Sequence, residues 1–271
     1  MLNEYCFDDI YVRYAIVEQP EDSKFSMHIH EQCEIYFFIT GNVEYLVEGS
    51  NYPLNESCLI ITRPAEVHKA KILGTERYER YAINFPLSFV KSIDPKGVLT
   101  QAFTERPLGT NNLLRSPELD MKLVQKLFAE IFLDEDDYTK QVTLKTHLLL
   151  LLDMIYRAFS EQHYINVTPT TASERIVRYV NNHIFDTISV PVLAKQFYLS
   201  SSQFSRIFKQ TTGASPWEYI TKKRLTAAKE NIRNGFSIQQ AAESCGFKDY
   251  SSFYRAYMKH FGTGPKEDVG K

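Results

Sequence analysis

The order of apolar and polar residues divides the chain into stretches of different period. Over the first ninety residues apolar positions alternate, or come in short runs broken by Gly, Asn and Pro, which is the pattern of β-strands. Glu34–Thr40 (EIYFFIT) and Val43–Val47 (VEYLV) flank Gly41-Asn42, a hairpin signal, and further strands are predicted at Ser57–Thr62 and Arg80–Phe85. Short strands punctuated in this way suggest a barrel or jelly roll. From about Pro117 the period lengthens. Leu119, Leu123, Val124, Leu127, Phe128 and Ile131 recur at helical spacing, and after the acidic break Asp134–Asp137 so do Leu144, Leu148, Leu151, Ile155 and Phe159. Two antiparallel amphipathic helices are predicted, either packed on the barrel or joining two copies of the chain through Leu127 and Leu151. Ile165–Ala172 (INVTPTTA), polar and carrying a proline, reads as an interdomain linker.

Beyond it, helix starts are written clearly. Thr171-x-x-Glu174, Ser215-x-x-Glu218 and Ser237-x-x-Gln240 all have capping-box spacing, and Pro216 suits the first position of a helix predicted to run to Asn234, where Gly235 stops it. The same region repeats itself. Ala194 and Leu199 match Ala242 and Phe247 at a spacing of 48, whereas Phe204, Arg206, Phe208, Gly213 and Pro216 match Phe253, Arg255, Tyr257, Gly262 and Pro265 at 49. The slip of one residue falls before the second helix of the unit, where insertions are tolerated.

Each copy reads as a helix-turn-helix, with a small residue where two helices cross, a turn at Tyr198 or Gly246, and a second helix whose apolar face is Phe204, Ile207 and Phe208 or Phe253, Ala256 and Tyr257. The opposite faces carry Ser202, Ser205, Arg206 and Lys209 in one copy and Ser251, Tyr254, Arg255 and Lys259 in the other. Arginine can donate two hydrogen bonds to the major-groove edge of guanine, and Ser and Tyr can bond bases or phosphates.

Net charge sharpens this reading. The whole chain is at −2, but residues 1–169 hold 16 Lys+Arg against 25 Asp+Glu, and residues 170–271 hold 15 against 8. An acidic body joined to a basic tail implies that the tail meets a polyanion, double-stranded DNA in this case. The N-terminus carries acids too early for a secretory signal peptide, and no apolar run approaches a membrane span, so a cytoplasmic protein is expected. The four cysteines, Cys6, Cys33, Cys58 and Cys245, are scattered and suggest neither a zinc knuckle nor a disulfide framework.

The segment SIQQAAESCGFKDYSSFYRAYMKHFGTGP, with its degenerate copy upstream, resembles the DNA-binding domain of the AraC/XylS family of bacterial transcription regulators. Departures are Ala241 for Ile, Tyr257-Met258 for Phe-Lys, and Gly264 for Thr or Ser; loss of that lysine removes a candidate phosphate contact. In the first part of the chain, His28-x-His30-x-x-x-Glu34 followed by Gly41 has the spacing of the first cupin motif, while Pro64-x-x-x-His68 is a shortened second one. This resembles the cupin sensor domain of AraC-type regulators. The resemblance implies an α+β two-domain chain: an N-terminal jelly roll (residues 1–92), a helical hairpin for dimerisation (93–164), a linker (165–172), and an all-α domain with two helix-turn-helix units (173–267).

It also implies a homodimeric, non-enzymatic regulator, expected to be an activator that works with RNA polymerase and needs no cofactor or metal. Its effector would be a sugar or glycoside held by His28, His30, Glu34, Tyr36, Arg63 and His68, with Arg13 and Tyr11 contributed by the N-terminal arm. Polar side chains bond hydroxyls and aromatic rings cover the apolar faces of a sugar. Two other readings of the polar cluster stay open: a structural role, and a metal shell. The competing function is a metal-dependent cupin enzyme with a nucleic-acid-binding appendage. The chain has no P-loop, dinucleotide fingerprint or G-x-S-x-G elbow to supply other chemistry.

Overall fold

The computed structural model describes residues 1–133, 136–161, 171–186 and 188–270. The chain forms two compact units, Met1–Thr168 and Pro169–Lys271. All but Thr171 and Ala172 of the predicted linker lies outside the described residues, and those two open a helix.

The first unit is built on two antiparallel sheets. The larger takes β1 (Leu2–Phe7), β2 (Ile10–Val17), β3 (Cys33–Thr40), β6 (Cys58–Thr62), β8 (Tyr78–Phe85) and β9 (Leu113–Arg115), in the order β1-β2-β8-β3-β6-β9. The smaller takes β4 (Val43–Val47), β5 (Ser50–Leu54) and β7 (His68–Ile72), in the order β5-β4-β7. Alternation along β3 decides what faces where. Ile35 and Phe37 point outward to a core shared with the helices, whereas Tyr36 and Phe38 point between the sheets at Tyr45, Tyr52 and Tyr78.

One expectation fails in this region. Gly41-Asn42 does not make a hairpin, because β3 pairs with β6 and β8 while β4 pairs with β5 and β7, so the turn carries the chain from one sheet to the other. The hairpin lies one strand later. Val47 pairs with Ser50 across Glu48 and Gly49, whose φ values of 52° and 85° are the two positive angles of a type I′ turn. The sheet also extends past residue 92, since β9 closes onto β6.

Between β8 and β9 run α1 (Leu87–Ile93) and the single turn α2 (Gln101–Thr104), which the apolar pattern did not reveal. The two predicted helices are α3 (Met121–Glu130) and α4 (Asp137–Ser160), started by Asp120 and Asp136 as N-caps. They lie over the outer face of the larger sheet, where Phe128 stacks on Phe37 with centroids 5.7 Å apart. Leu127 and Leu151 are 4% and 0% exposed in this core, so they are not contacts between copies. The apolar side chains that α4 leaves exposed are Tyr138, Val142 and Leu150.

The second unit is all helix: α5 (Ala172–Asn182), α6 (Val190–Gln196), α7 (Ser201–Thr212), α8 (Pro216–Arg233), α9 (Ile238–Ser244) and α10 (Tyr250–Phe261). The three capping boxes read from the sequence are present, and a fourth joins Ser200 to Gln203. Buried Phe204 and Phe208 anchor α7, and Phe253 and Tyr257 anchor α10. The hydroxyl that distinguishes Tyr257 from the family phenylalanine donates to Asp268 at 2.8 Å, so burying it leaves no unpaired donor.

Candidate effector pocket and nucleic-acid interface

In the first unit, the loop before β3 crosses the end of the smaller sheet. His28 and His68 exchange backbone hydrogen bonds of 3.0 Å each, which brings the first histidine pair onto the third. Every imidazole then donates Nδ1–H to a main-chain carbonyl: His28 to Ser26 (3.2 Å), His30 to Gln32 (2.8 Å) and His68 to Glu66 (2.7 Å). That fixes the rings and turns Nε2 of His30 and His68 onto Glu34 Oε2, at 3.0 and 3.3 Å. Asn84 donates to the same oxygen at 3.0 Å.

Burial alone would raise the Glu34 carboxyl, but hydrogen bonds from His30 and His68 hold it well below the usual range. For His68, burial acts downward and is outweighed by the bond and charge of Glu34, leaving its pKa raised. His28 retains exposed surface, yet crowding by protein, together with the charge of His68, lowers it to about 4. One ligand atom from each of His28, His30, Glu34 and His68 lies within 4.8 Å of the others, a donor set able to hold a divalent cation.

The cluster opens into a cavity of about 430 Å³. Tyr36 lines it from β3, and Tyr11 and Arg13 line it from β2, a strand of the larger sheet and not a separate arm. Arg13 donates to Glu4 at 2.6 Å, and the Tyr11 hydroxyl donates to the same carboxylate oxygen. His68 stands behind Glu34, fully buried. Arg63 does not belong to the cavity. Its guanidinium reaches the Thr104 carbonyl at 3.1 Å, and its backbone N–H donates to Glu66, which places it on the opposite side of the sheet end. Tyr45, Tyr78, Arg80 and Asn84 line the cavity and were missed. Parity on the predicted strand Arg80–Phe85 could have found two of them, Arg80 and Asn84, whereas Tyr78 lies on the same inward face but two residues before the predicted start.

In the second unit, α6–α7 and α9–α10 are two copies of one device. The turns match bond for bond: Leu199 N–H donates to Ala194 O at 3.0 Å and Phe247 N–H to Ala242 O at 3.1 Å. The N-caps Ser200 and Asp249 stand one position further apart than the turns, which accounts for the slip in the repeat. Ser202, Arg206 and Lys209 are exposed on α7, with Ser205 half-buried beside them, and Ser251, Tyr254, Arg255 and Lys259 are exposed on α10. The second turn is clamped from behind. Arg224 on α8 donates to the carbonyls of Ile184, Asp186 and Gly246 at 2.6–2.8 Å.

Two family models match: an AraC-like ligand binding domain over residues 11–152 and a helix-turn-helix domain over residues 193–269. The chain belongs to the AraC family of transcription regulators. Its fold is that of the family, a β-rich ligand-binding domain followed by a helical DNA-binding domain. Among its relatives, the probable transcriptional regulator LumQ of Photobacterium leiognathi is 26% identical over 92% of this chain and 93% of its own. The virulence regulon transcriptional activator VirF of Yersinia enterocolitica is 26% identical over 88% and 89%. The crystal structure of ToxT from Vibrio cholerae aligns over 95% of this chain and 96% of its own, with 14% identity and a TM-score of 0.38. Among the described residues no helix is long and apolar enough to cross a membrane.

Proposed function

We propose that this AraC-family protein is a cytoplasmic activator whose barrel binds a small effector and whose two recognition helices read an asymmetric DNA site. The observation that carries the reading is the 430 Å³ cavity, lined by hydrogen-bonding groups and aromatic rings, in a chain whose other unit presents exposed Arg206 and Arg255 on matching helices. Sugars and glycosides are the favoured effectors, since hydroxyls suit the His30–Glu34–Asn84 cluster and rings suit Tyr36, Tyr45 and Tyr78. Activation through RNA polymerase agrees with VirF, a relative named as an activator. The protein works as a homodimer through the exposed face of α4. A thermal-shift screen of sugars and glycosides tests the pocket, because a ligand that binds only the folded state raises its melting temperature. A saturable rise that Glu34→Ala abolishes supports it. Effectors that act equally on Glu34→Ala contradict it.

A second reading rests on His68. Both of its ring nitrogens face acceptors, Glu66 O and Glu34 Oε2, so the ring either carries a second proton or bonds a cation through Nε2. His28, His30, Glu34 and His68 would be the ligands of such a divalent ion, which could polarise an effector hydroxyl. Elemental analysis of the purified protein decides between them. Stoichiometric zinc, iron or manganese, with effector binding lost on chelation, selects the metal; effector binding unchanged by chelation selects the protonated pair.

A further inference from the structure

The pocket holds one charge without a partner. Arg80 on β8 faces the inside of the barrel, with its Cζ 4.5 Å from the ring centre of Tyr78 and 5.4 Å from that of Phe25. Its Nη1 is buried and has no hydrogen-bond partner, and among the described residues no carboxylate pairs with the guanidinium. Arginine cannot shed its proton to escape this situation. The rings beneath it offset part of the cost of desolvation, but they do not neutralise the charge or satisfy the N–H.

The surroundings offer no substitute. The other two cations that line the cavity are already matched, Arg13 by Glu4 at 2.6 Å and Lys24 by Glu21 at 2.9 Å. The one carboxylate in the lining, Glu34, is committed to His30, His68 and Asn84. The neighbouring phenols stay neutral, for burial drives Tyr36 and Tyr45 well above their ordinary value and Tyr78 to about 12. A half-exposed guanidinium that lines the cavity, rests on two aromatic rings and has no carboxylate partner among the described residues is placed to take an anion from it.

We infer that Arg80 receives the carboxylate of the effector, so that the ligand of this pocket is a small organic acid, with sugar acids such as uronates the members that also suit the hydroxyl-binding cluster. The inference rests on the reading of the barrel as an effector pocket and narrows its ligand class. A single cation matches a monoanion, and the edge of a planar guanidinium matches the two oxygens of a carboxylate. A phosphate, close to doubly charged at neutral pH, would need a second unpaired cation. The cavity volume accommodates a ligand of that size.

The test uses the full chain with arginine labelled with ¹⁵N, following side-chain Nε–H resonances during titration with acetate, its neutral isostere acetamide, and inorganic phosphate. Arg80→Gln assigns the resonance, with its melting curve confirming the fold. Acetate is expected to shift the Arg80 signal saturably, with a midpoint at least tenfold below that of exposed Arg206, and acetamide to leave it in place. Acetate acting no better on Arg80 than on Arg206, or acetamide matching acetate, overturns the inference; phosphate matching acetate overturns its carboxylate specificity. Calorimetry with glucuronate and galacturonate beside glucose and galactose then separates it from the broader reading. Uronates should bind at least tenfold tighter than their parent hexoses and lose that margin in Arg80→Gln. Hexoses binding as well as uronates in both proteins would leave the effector pocket standing and remove the acid. An acetate response at Arg80 with no sugar binding would keep the acid and remove the sugar.

Discussion

His28 and His68, forty residues apart, are stitched together by two reciprocal backbone hydrogen bonds, and their rings meet edge to face at 4.1 Å. The contact ties the loop before β3 to β7, and so brings a histidine pair from one sheet's approach onto a histidine of the other sheet. Glu34 is the common acceptor that makes the cluster stable. Replacing Glu34 with Ala leaves buried His68 without its counter-charge and should destabilise the first unit by about 1–3 kcal/mol. Effector binding should be lost while salt-dependent affinity for DNA is retained. Thermal melts and DNA titrations of the variant check both, and a variant that melts unchanged would deny Glu34 this role.

Glu66 and Arg106 form a second buried pair, at 2.5 Å with both side chains fully enclosed, and they tie the β6–β7 loop to the segment after α2. Burial opposes ionisation of Glu66, but the charge and hydrogen bonds of Arg106 prevail and lower its pKa below 4.5. The folded-state value is therefore the depressed one. The stabilisation is fully present above the unfolded carboxylate's pKa and is lost as pH falls through the folded value. Glu66→Gln should cost about 3–5 kcal/mol at neutral pH, where a charge is left buried and unpaired. It should also flatten the fall in melting temperature below about pH 4.5. Parallel acid-melt profiles for the two proteins would contradict the pairing.

The two turns of the repeat answer one backbone demand differently. Gly246 has φ 81°, and a Cβ there would stand 2.7 Å from Phe185 O and 2.9 Å from Arg224 Cζ. Tyr198 has φ 56° and is 97% exposed, so its side chain is strained but unobstructed. Gly246→Ala should cost more than about 2 kcal/mol, and Tyr198→Gly should be neutral or stabilise by up to about 1 kcal/mol. Denaturant melts measure both. A Tyr198→Gly loss as large as that of Gly246→Ala would mean that the tyrosine ring, and not the backbone, holds the first turn.

The dimer proposal now falls on different residues. With Leu127 and Leu151 in the core, Val142→Lys and Leu150→Glu on the exposed face of α4 are the informative changes. Each should raise the dimer dissociation constant at least tenfold in sedimentation while shifting the melting temperature little. Unaltered association would move the interface elsewhere.

Much of this was legible in the chain because local signals and tertiary demands agreed. The repeat from Leu193 to Pro265 carries its own caps, turns and apolar faces, so helix boundaries and the buried and exposed faces could be read from the chain. The barrel was harder. The Gly41-Asn42 signal marks a turn but not which strands pair across it, and the I′ turn at Glu48-Gly49 hides behind a glutamate in a left-handed conformation. β1 and β2 alternate weakly, because an edge pair with half-exposed tyrosines mixes polar and apolar on both faces. Arg80 escaped notice for a related reason. A charged residue at a strand's start reads as solvent-facing until register shows it pointing at Phe25 and Tyr78. Arg63 failed in the opposite sense: it follows β6 and stands five residues before His68, but its guanidinium turns to Thr104.

The central claim is that one chain reads DNA with two helices, joined by the 18 residues of α8, which span roughly 27 Å at 1.5 Å per residue. Successive major grooves on one face of B-DNA lie about 34 Å apart, so each monomer should cover an asymmetric site of about two turns. The upstream copy, with Arg206 and Lys209 among serines, should read bases, and the downstream copy, with Tyr250 and Tyr254, should lean more on shape. Selection of sites from a random duplex pool by the full protein, by Arg206→Ala and by Arg255→Ala, followed by footprinting, tests this most directly. The account predicts protection over two turns per monomer, with specificity relaxed in one half of the site by Arg206→Ala at a cost of about 1–3 kcal/mol, and any change from Arg255→Ala confined to the other half. Protection confined to a single turn, or identical specificity profiles for the two variants, would contradict it.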